Sequence, residues 1–95
     1  MHDRAQVKCI VKRDRQNAHE RIEAIGGYTN KSWQVPEDQA IGMIKRREWE
    51  FFVIVAGREV KVVVAQHNGR EYLKTEADGY APNNLLNLDS CPVYR

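Results

Sequence analysis

The sequence predicts a small α+β domain: a twisted, mainly antiparallel sheet of about five strands with one helix packed on one face. Three observations carry this. Short runs alternate apolar and polar residues with the period of two of a half-buried strand. One segment, Pro36 to Arg47, repeats its apolar residues at helical spacing, and Gly-containing pairs separate later strand patterns at hairpin distance.

Chain length sets the scale. Ninety-five residues make a single domain, 1–95, with one modest core. A hydrophobic fraction of 42% and a charged fraction of 29% are those of an ordinary globular protein. No apolar run approaches the roughly 18–20 residues of a membrane helix, and the longest, Phe51 to Ala56, suits a buried strand. The polar start, Met1-His2-Asp3-Arg4-Ala5, lacks the apolar stretch of a signal peptide, so the expected address is cytoplasmic, with no membrane partner.

Along the chain, Ala5 to Lys12 reads as one strand, with Val7, Cys9 and Val11 on one face. A polar break over 14–18 follows. His19 to Tyr28 alternates again and is read as a second strand, with a short helix as the competing reading; Gly26-Gly27 is expected to end it. Pro36 to Arg47 is the helix. Proline suits its first turn, Glu37 and Asp38 sit at the positive end of the macrodipole, and Lys45, Arg46 and Arg47 at the negative end. Ala40, Ile41 and Ile44 form its apolar stripe, and Gly42 points to close packing against a strand. Trp49 to Ala56 is apolar on both faces, as a central strand is. A Gly57-Arg58 turn leads into Glu59 to Gln66, and an Asn68-Gly69 turn into Glu71 to Thr75, completing a meander.

The two cysteines, Cys9 and Cys91, form no Cys-x-x-Cys pair and are too few for a disulfide framework, so reduced, partly buried thiols are expected. A bridge from the first strand to the tail is the other reading. His19, His67, Cys9 and Cys91 stand at no ligand spacing, so neither a metal nor any other cofactor is expected. The sequence holds no nucleophile elbow, paired-carboxylate motif or phosphate-cradling glycine loop, which leads to the expectation of a non-enzymatic protein.

The tail exceeds what a generic small fold needs. Tyr72-Leu73-Lys74-Thr75, Ala77-Asp78-Gly79, Asn83-Asn84-Leu85-Leu86 and the Leu88-x-x-Cys91 ending resemble a family of small bacterial domains known as domain of unknown function 3892. The segment from His19 to Gly27 and the strand-turn-strand from Phe51 to Val64 fit the same layout. One departure is visible: Asp89 follows Leu88 where the family usually has proline. The resemblance implies a compact domain and leaves the activity open.

Two binding surfaces follow from the residues. Asp78, Asn83 and Asn84 either satisfy the backbone of an ordered loop or face outward and read a peptide backbone or a nucleobase edge, and an unknown protein partner is the favoured one. Net charge is +2, but residues 1–21 hold six bases against three acids. Lys8, Lys12, Arg13, Arg15 and Arg21 with Lys45, Arg46 and Arg47, near Trp33 and Trp49, therefore offer a nucleic-acid surface as the alternative: cations for phosphates, rings for stacking. Trp49, heading the central strand, is expected in the core.

Overall fold

The computed structural model describes residues 3–12, 21–28, 31–78 and 83–91, apart from the side chain of Asn83. The 14–18 break, His19, Arg13, Arg15 and Gly79 lie outside the described residues. The element order is β1 (Asp3–Gln6), β2 (Cys9–Lys12), β3 (Ile22–Tyr28), β4 (Ser32–Pro36), α1 (Glu37–Lys45), β5 (Trp49–Val55), β6 (Arg58–His67), β7 (Arg70–Thr75), α2 (Asn83–Leu86) and β8 (Asp89–Ser90).

Among the described residues these strands build two four-stranded sheets, ordered β1-β5-β6-β7 and β4-β3-β2-β8, in place of the expected single sheet of about five. The pairing is mainly antiparallel. Its parallel members are β1 against β5 and β2 against β8, one in each sheet.

The second sheet arises because Ala5 to Lys12 is two strands rather than one. The amide of Val7 donates to the Phe52 carbonyl at 2.7 Å, while that of Lys8 donates to the Gly26 carbonyl at 2.9 Å. The chain therefore leaves the first sheet at Val7 and enters the second at Lys8. A strand that switches sheets in this way makes the corner of a two-sheet stack.

Gly26 and Gly27 do not end β3; they lie buried within it. A Cβ on Gly26 would stand 2.8 Å from the Cys91 sulfur and 2.9 Å from that of Cys9. On Gly27 it would stand 2.4 Å from the Gln6 carbonyl oxygen and 2.8 Å from the Trp33 ring. Neighbouring strand residues face opposite ways, so each glycine admits a close neighbour on a different face of the sheet.

One core joins both sheets. Ile10, Ile22 and Ile25 of the second pack with Phe51, Val53, Val62 and Leu73 of the first, and α1 adds Ala40 and Ile41. Leu85 from α2 is fully buried among them. The helix contacts β3 and β4 as well as β5, β6 and β7, so it seals the space between the sheets rather than one face of one sheet.

Pro36 closes β4 and precedes the first helical residue. The C-terminal end is closed by the amides of Arg47 and Glu48, which donate to the Ile44 and Met43 carbonyls at 3.0 Å each, with Arg47 left-handed at φ 59°. This is the glycine-type helix ending, occupied here by arginine. The atom nearest a Cβ on Gly42 belongs to Arg46 at 2.8 Å, not to a strand.

Both expected hairpins form. Asn68 and Gly69 take positive φ as the turn requires, and the first turn falls on Ala56-Gly57, one residue before Gly57-Arg58.

Cys9 and Cys91 are joined in a disulfide, so the expected pair of reduced thiols is replaced by a bridge between β2 and the tail. The linked residues are 82 apart in sequence and 4.8 Å apart at Cα. Parallel pairing of β8 with β2, in register Cys9↔Asp89 and Ile10↔Ser90, is what brings the two sulfurs together.

Candidate binding cleft

Four large side chains from three elements converge on an open cavity of about 400 Å³ beside the core. Inward alternation along β4 delivers Trp33, and the same alternation along β5 delivers Trp49 and Phe51. Met43 comes from α1, and Ala5 of β1 lies in the wall. The Trp33 and Phe51 rings are 5.7 Å apart at 33°, and those of Trp49 and Phe51 6.2 Å apart at 13°. Phe51 is buried, whereas Trp33, Met43 and Trp49 are only half-buried. The group is an aromatic floor open to solvent. Trp49, expected in the core, is part of that floor.

Trp33 also carries a buried indole N–H with no hydrogen-bond partner among the described residues. Such a group is destabilising until an acceptor reaches it.

Trp49 divides this cavity from a second of about 420 Å³, lined also by Ile44, Arg47, Glu50, Lys61 and Val62. The rim is charged. Arg4 donates from Nε to Glu50 at 2.6 Å and from Nη2 to Glu59, and its guanidinium lies 4.6 Å over the Phe52 ring. Its pKa is raised above the ordinary value, first by the hydrogen bond to Glu50 and then by that to Glu59. Lys61 approaches Glu50 at 3.8 Å. Lys31 and Arg47, both exposed, make no ion pair among the described residues. The rim therefore presents two cations, Lys31 and Arg47, and one anion, Asp3, none of them in an ion pair among the described residues, beside apolar rings.

The residues singled out in the sequence are placed differently. Asp78 sits just past β7. Its Oδ2 accepts from the Thr75 amide at 3.0 Å and the Thr75 hydroxyl at 3.1 Å, and its Oδ1 accepts from the Asn84 amide at 3.1 Å. The Asn84 side-chain Nδ2 donates to the Thr75 hydroxyl at 2.8 Å. Asp78 and Asn84 thus bond to their own chain and tie α2 to the edge of β7. The side chain of Asn83 lies outside the described residues.

Of the basic residues, Lys45 pairs with Glu71 at 3.0 Å and Arg46 with Glu48 at 3.1 Å, whereas Arg47, which lines the second cavity together with Glu50, makes no ion pair among the described residues. Lys8 lies in the corner between β1 and β2, and Lys12 ends β2, both exposed. The cleft residues Met43, Phe51 and Lys31 were not singled out by sequence reasoning. Alternation of Trp33 and Val35 with Ser32, Gln34 and Pro36 is the signal that marks β4 and aims Trp33 inward.

In comparison with known families, the model of the family described as protein of unknown function (DUF3892) matches residues 6–89. The chain belongs to this family. The DUF3892 span takes in Trp33, Met43, Trp49 and Phe51, whereas Asp3, Arg4, Ala5 and Cys91 fall outside it. None of the curated proteins and none of the solved structures compared with the chain matches it. No helix among the described residues is long and apolar enough to cross a membrane.

Proposed function

We propose that this protein is a non-enzymatic binding module that takes an acidic, apolar-tipped segment of a partner protein into the cleft between its sheets. The observation behind this reading is the open floor of Trp33, Met43, Trp49 and Phe51, set beside the uncommitted charges of Lys31 and Arg47. Aromatic residues and methionine are the types that dominate binding energy at protein interfaces, and they do so where water is excluded on docking. A partner's aromatic or branched side chain fills the cavity and its flanking carboxylates meet the two cations. Asp78 and Asn84 serve this reading indirectly, as the clamp that holds the tail.

The test is selection from a displayed library of short peptides, followed by titration monitored through Trp33 and Trp49 fluorescence. Enrichment of sequences with an apolar residue beside Asp or Glu is expected. Trp49→Ala should weaken binding at least about tenfold, the loss typical of an interface anchor. Arg47→Gly suits the charge test, because glycine adopts the left-handed turn freely and the fold is kept. It should weaken binding about threefold to tenfold, with a smaller effect in high salt. A library that yields no enrichment, or binding indifferent to Trp49, sinks the proposal.

The same rings and cations favour single-stranded nucleic acid as a second reading, with bases stacked on the indoles. Against it, Lys45 and Arg46 are already paired with carboxylates. Oligonucleotide binding that quenches both tryptophans and falls steeply with salt would put this reading first. A bacterial, cytoplasmic setting completes the proposal. Cell fractionation checks it: the protein should be recovered with cytoplasmic markers, and recovery with exported proteins overturns that setting.

A further inference from the structure

We infer that the Cys9–Cys91 bond is a redox latch: cutting it frees the β8 tail from β2 while the rest of the domain stays folded. The latch is independent of the cleft.

Its geometry is specific. Cys9 opens β2 and Cys91 directly follows β8, so the bond ties the second sheet's central hairpin to the tail. Both sulfurs lie over Gly26, where a Cβ would stand less than 3 Å from each. The third strand thus carries its smallest residue where the bond passes.

What the bond holds is slight. β8 has two residues, Asp89 and Ser90, both exposed, and meets β2 in two register positions. Beyond them the Cys91 amide donates to the Ile10 carbonyl at 2.9 Å. A two-residue edge strand with no buried side chain of its own has little to hold it once the link is gone. The preceding segment is held by other means: Leu85 is fully buried, and the Asp78 carboxylate joins Thr75 to Asn84. The boundary of the released segment therefore falls between Leu85 and Asp89.

The chemistry is thiol–disulfide exchange with a thiol reductant of the glutathione or dithiol class. Cys9 is the half-buried partner and Cys91 the buried one, so the incoming thiolate attacks the sulfur of Cys9. The old bond breaks, a mixed disulfide forms at Cys9, and Cys91 leaves as a thiolate and takes a proton. A second reductant thiolate then attacks the reductant's own sulfur in the mixed disulfide and displaces Cys9, which is protonated in turn. The protein gains two electrons and two protons, and the reductant becomes its disulfide. Departure of β8 leaves the outer edge of β2 without a neighbour, a row of backbone donors and acceptors of the kind that pairs with another strand.

Hydrogen exchange read by mass spectrometry on the whole chain tests this. Oxidised protein should weigh two hydrogens less than protein treated with a dithiol, and alkylation should label both cysteines only after reduction. On reduction, amides of residues 89–91 should exchange as fast as unstructured chain, while those of β5 and β6, which open only with the whole fold, stay slower than them even as the lost loop closure lowers global stability. Cys9→Ser should reproduce the reduced pattern without any reductant. Unchanged exchange at 89–91 in protein verified as reduced overturns the latch. So does exchange of β5 and β6 as fast as that of residues 89–91, because reduction would then unfold the whole domain rather than release its tail. Failure of the bond to form in oxidised glutathione also overturns it.

Discussion

At Gly27 one missing methyl group lets two layers approach. The Trp33 ring and the Gln6 carbonyl both lie where a Cβ would be, and a backbone carbonyl cannot swing away as a long side chain can. Gly27→Ala is expected to destabilise the domain by about 1–3 kcal/mol, the usual range for overpacking a filled site. Gly57 is the control: its φ is +79° and nothing lies within 4 Å of an added Cβ, so Gly57→Ala should lose only the roughly 1 kcal/mol of a strained turn residue. Urea unfolding of both variants gives the order. Equal effects would mean that Trp33 and Gln6 yield easily and that the cleft floor is soft. None of this was legible in the sequence, where Gly-Gly reads as a strand end because flexible residues usually sit there.

Elements show where local pattern suffices and where it does not. The acids at the start of α1, the bases at its end and the apolar stripe between them are all neighbours in the chain, so the helix could be read directly. The edge of β7 could not. Its outward amides at Leu73 and Thr75 are met by carboxylates: Glu37 Oε2 at 3.3 Å and Asp78 Oδ2 at 3.0 Å. Glu37 is buried and also accepts from Arg70 at 3.2 Å. Carboxylates on an edge satisfy donors that would otherwise invite a further strand. Asp78→Ala leaves the Thr75 amide, its hydroxyl and the Asn84 amide short of an acceptor, so a loss of about 2–3 kcal/mol is expected. Thermal unfolding measures it, with faster exchange at Thr75 as the local sign. A fully stable variant would return Asp78 to the list of residues available to a partner. The sequence offered both roles for this carboxylate, because a turn acid looks the same whether its partner is its own backbone or another molecule's.

For the whole molecule, the covalent link between Cys9 and Cys91 closes nearly the entire chain into a loop of 82 residues' separation. In the chain-entropy account such a closure restricts the unfolded state by about 4.5 kcal/mol, an upper value because unfolded chains keep some structure. Cys9→Ser/Cys91→Ser protein should therefore be less stable than the oxidised form by up to that amount, and unfold at a lower urea midpoint. Reduced wild-type protein should behave like the double variant. A midpoint unchanged on reduction would show that the bond does not constrain the unfolded chain.

What the sequence determined by itself is local: the helix and its charges, the β5–β6–β7 meander with its turns, and a family signature that fills the tail. Each rests on residues a few positions apart, where periodicity and turn chemistry act. Tertiary structure alone decided that one long strand bends at Val7–Lys8 into two sheets, that Cys9 meets Cys91, and that Trp33, Met43, Trp49 and Phe51 share one open floor. Those outcomes depend on which strands pair across the fold, and pairing is settled by burial of the whole core rather than by the residues at either end.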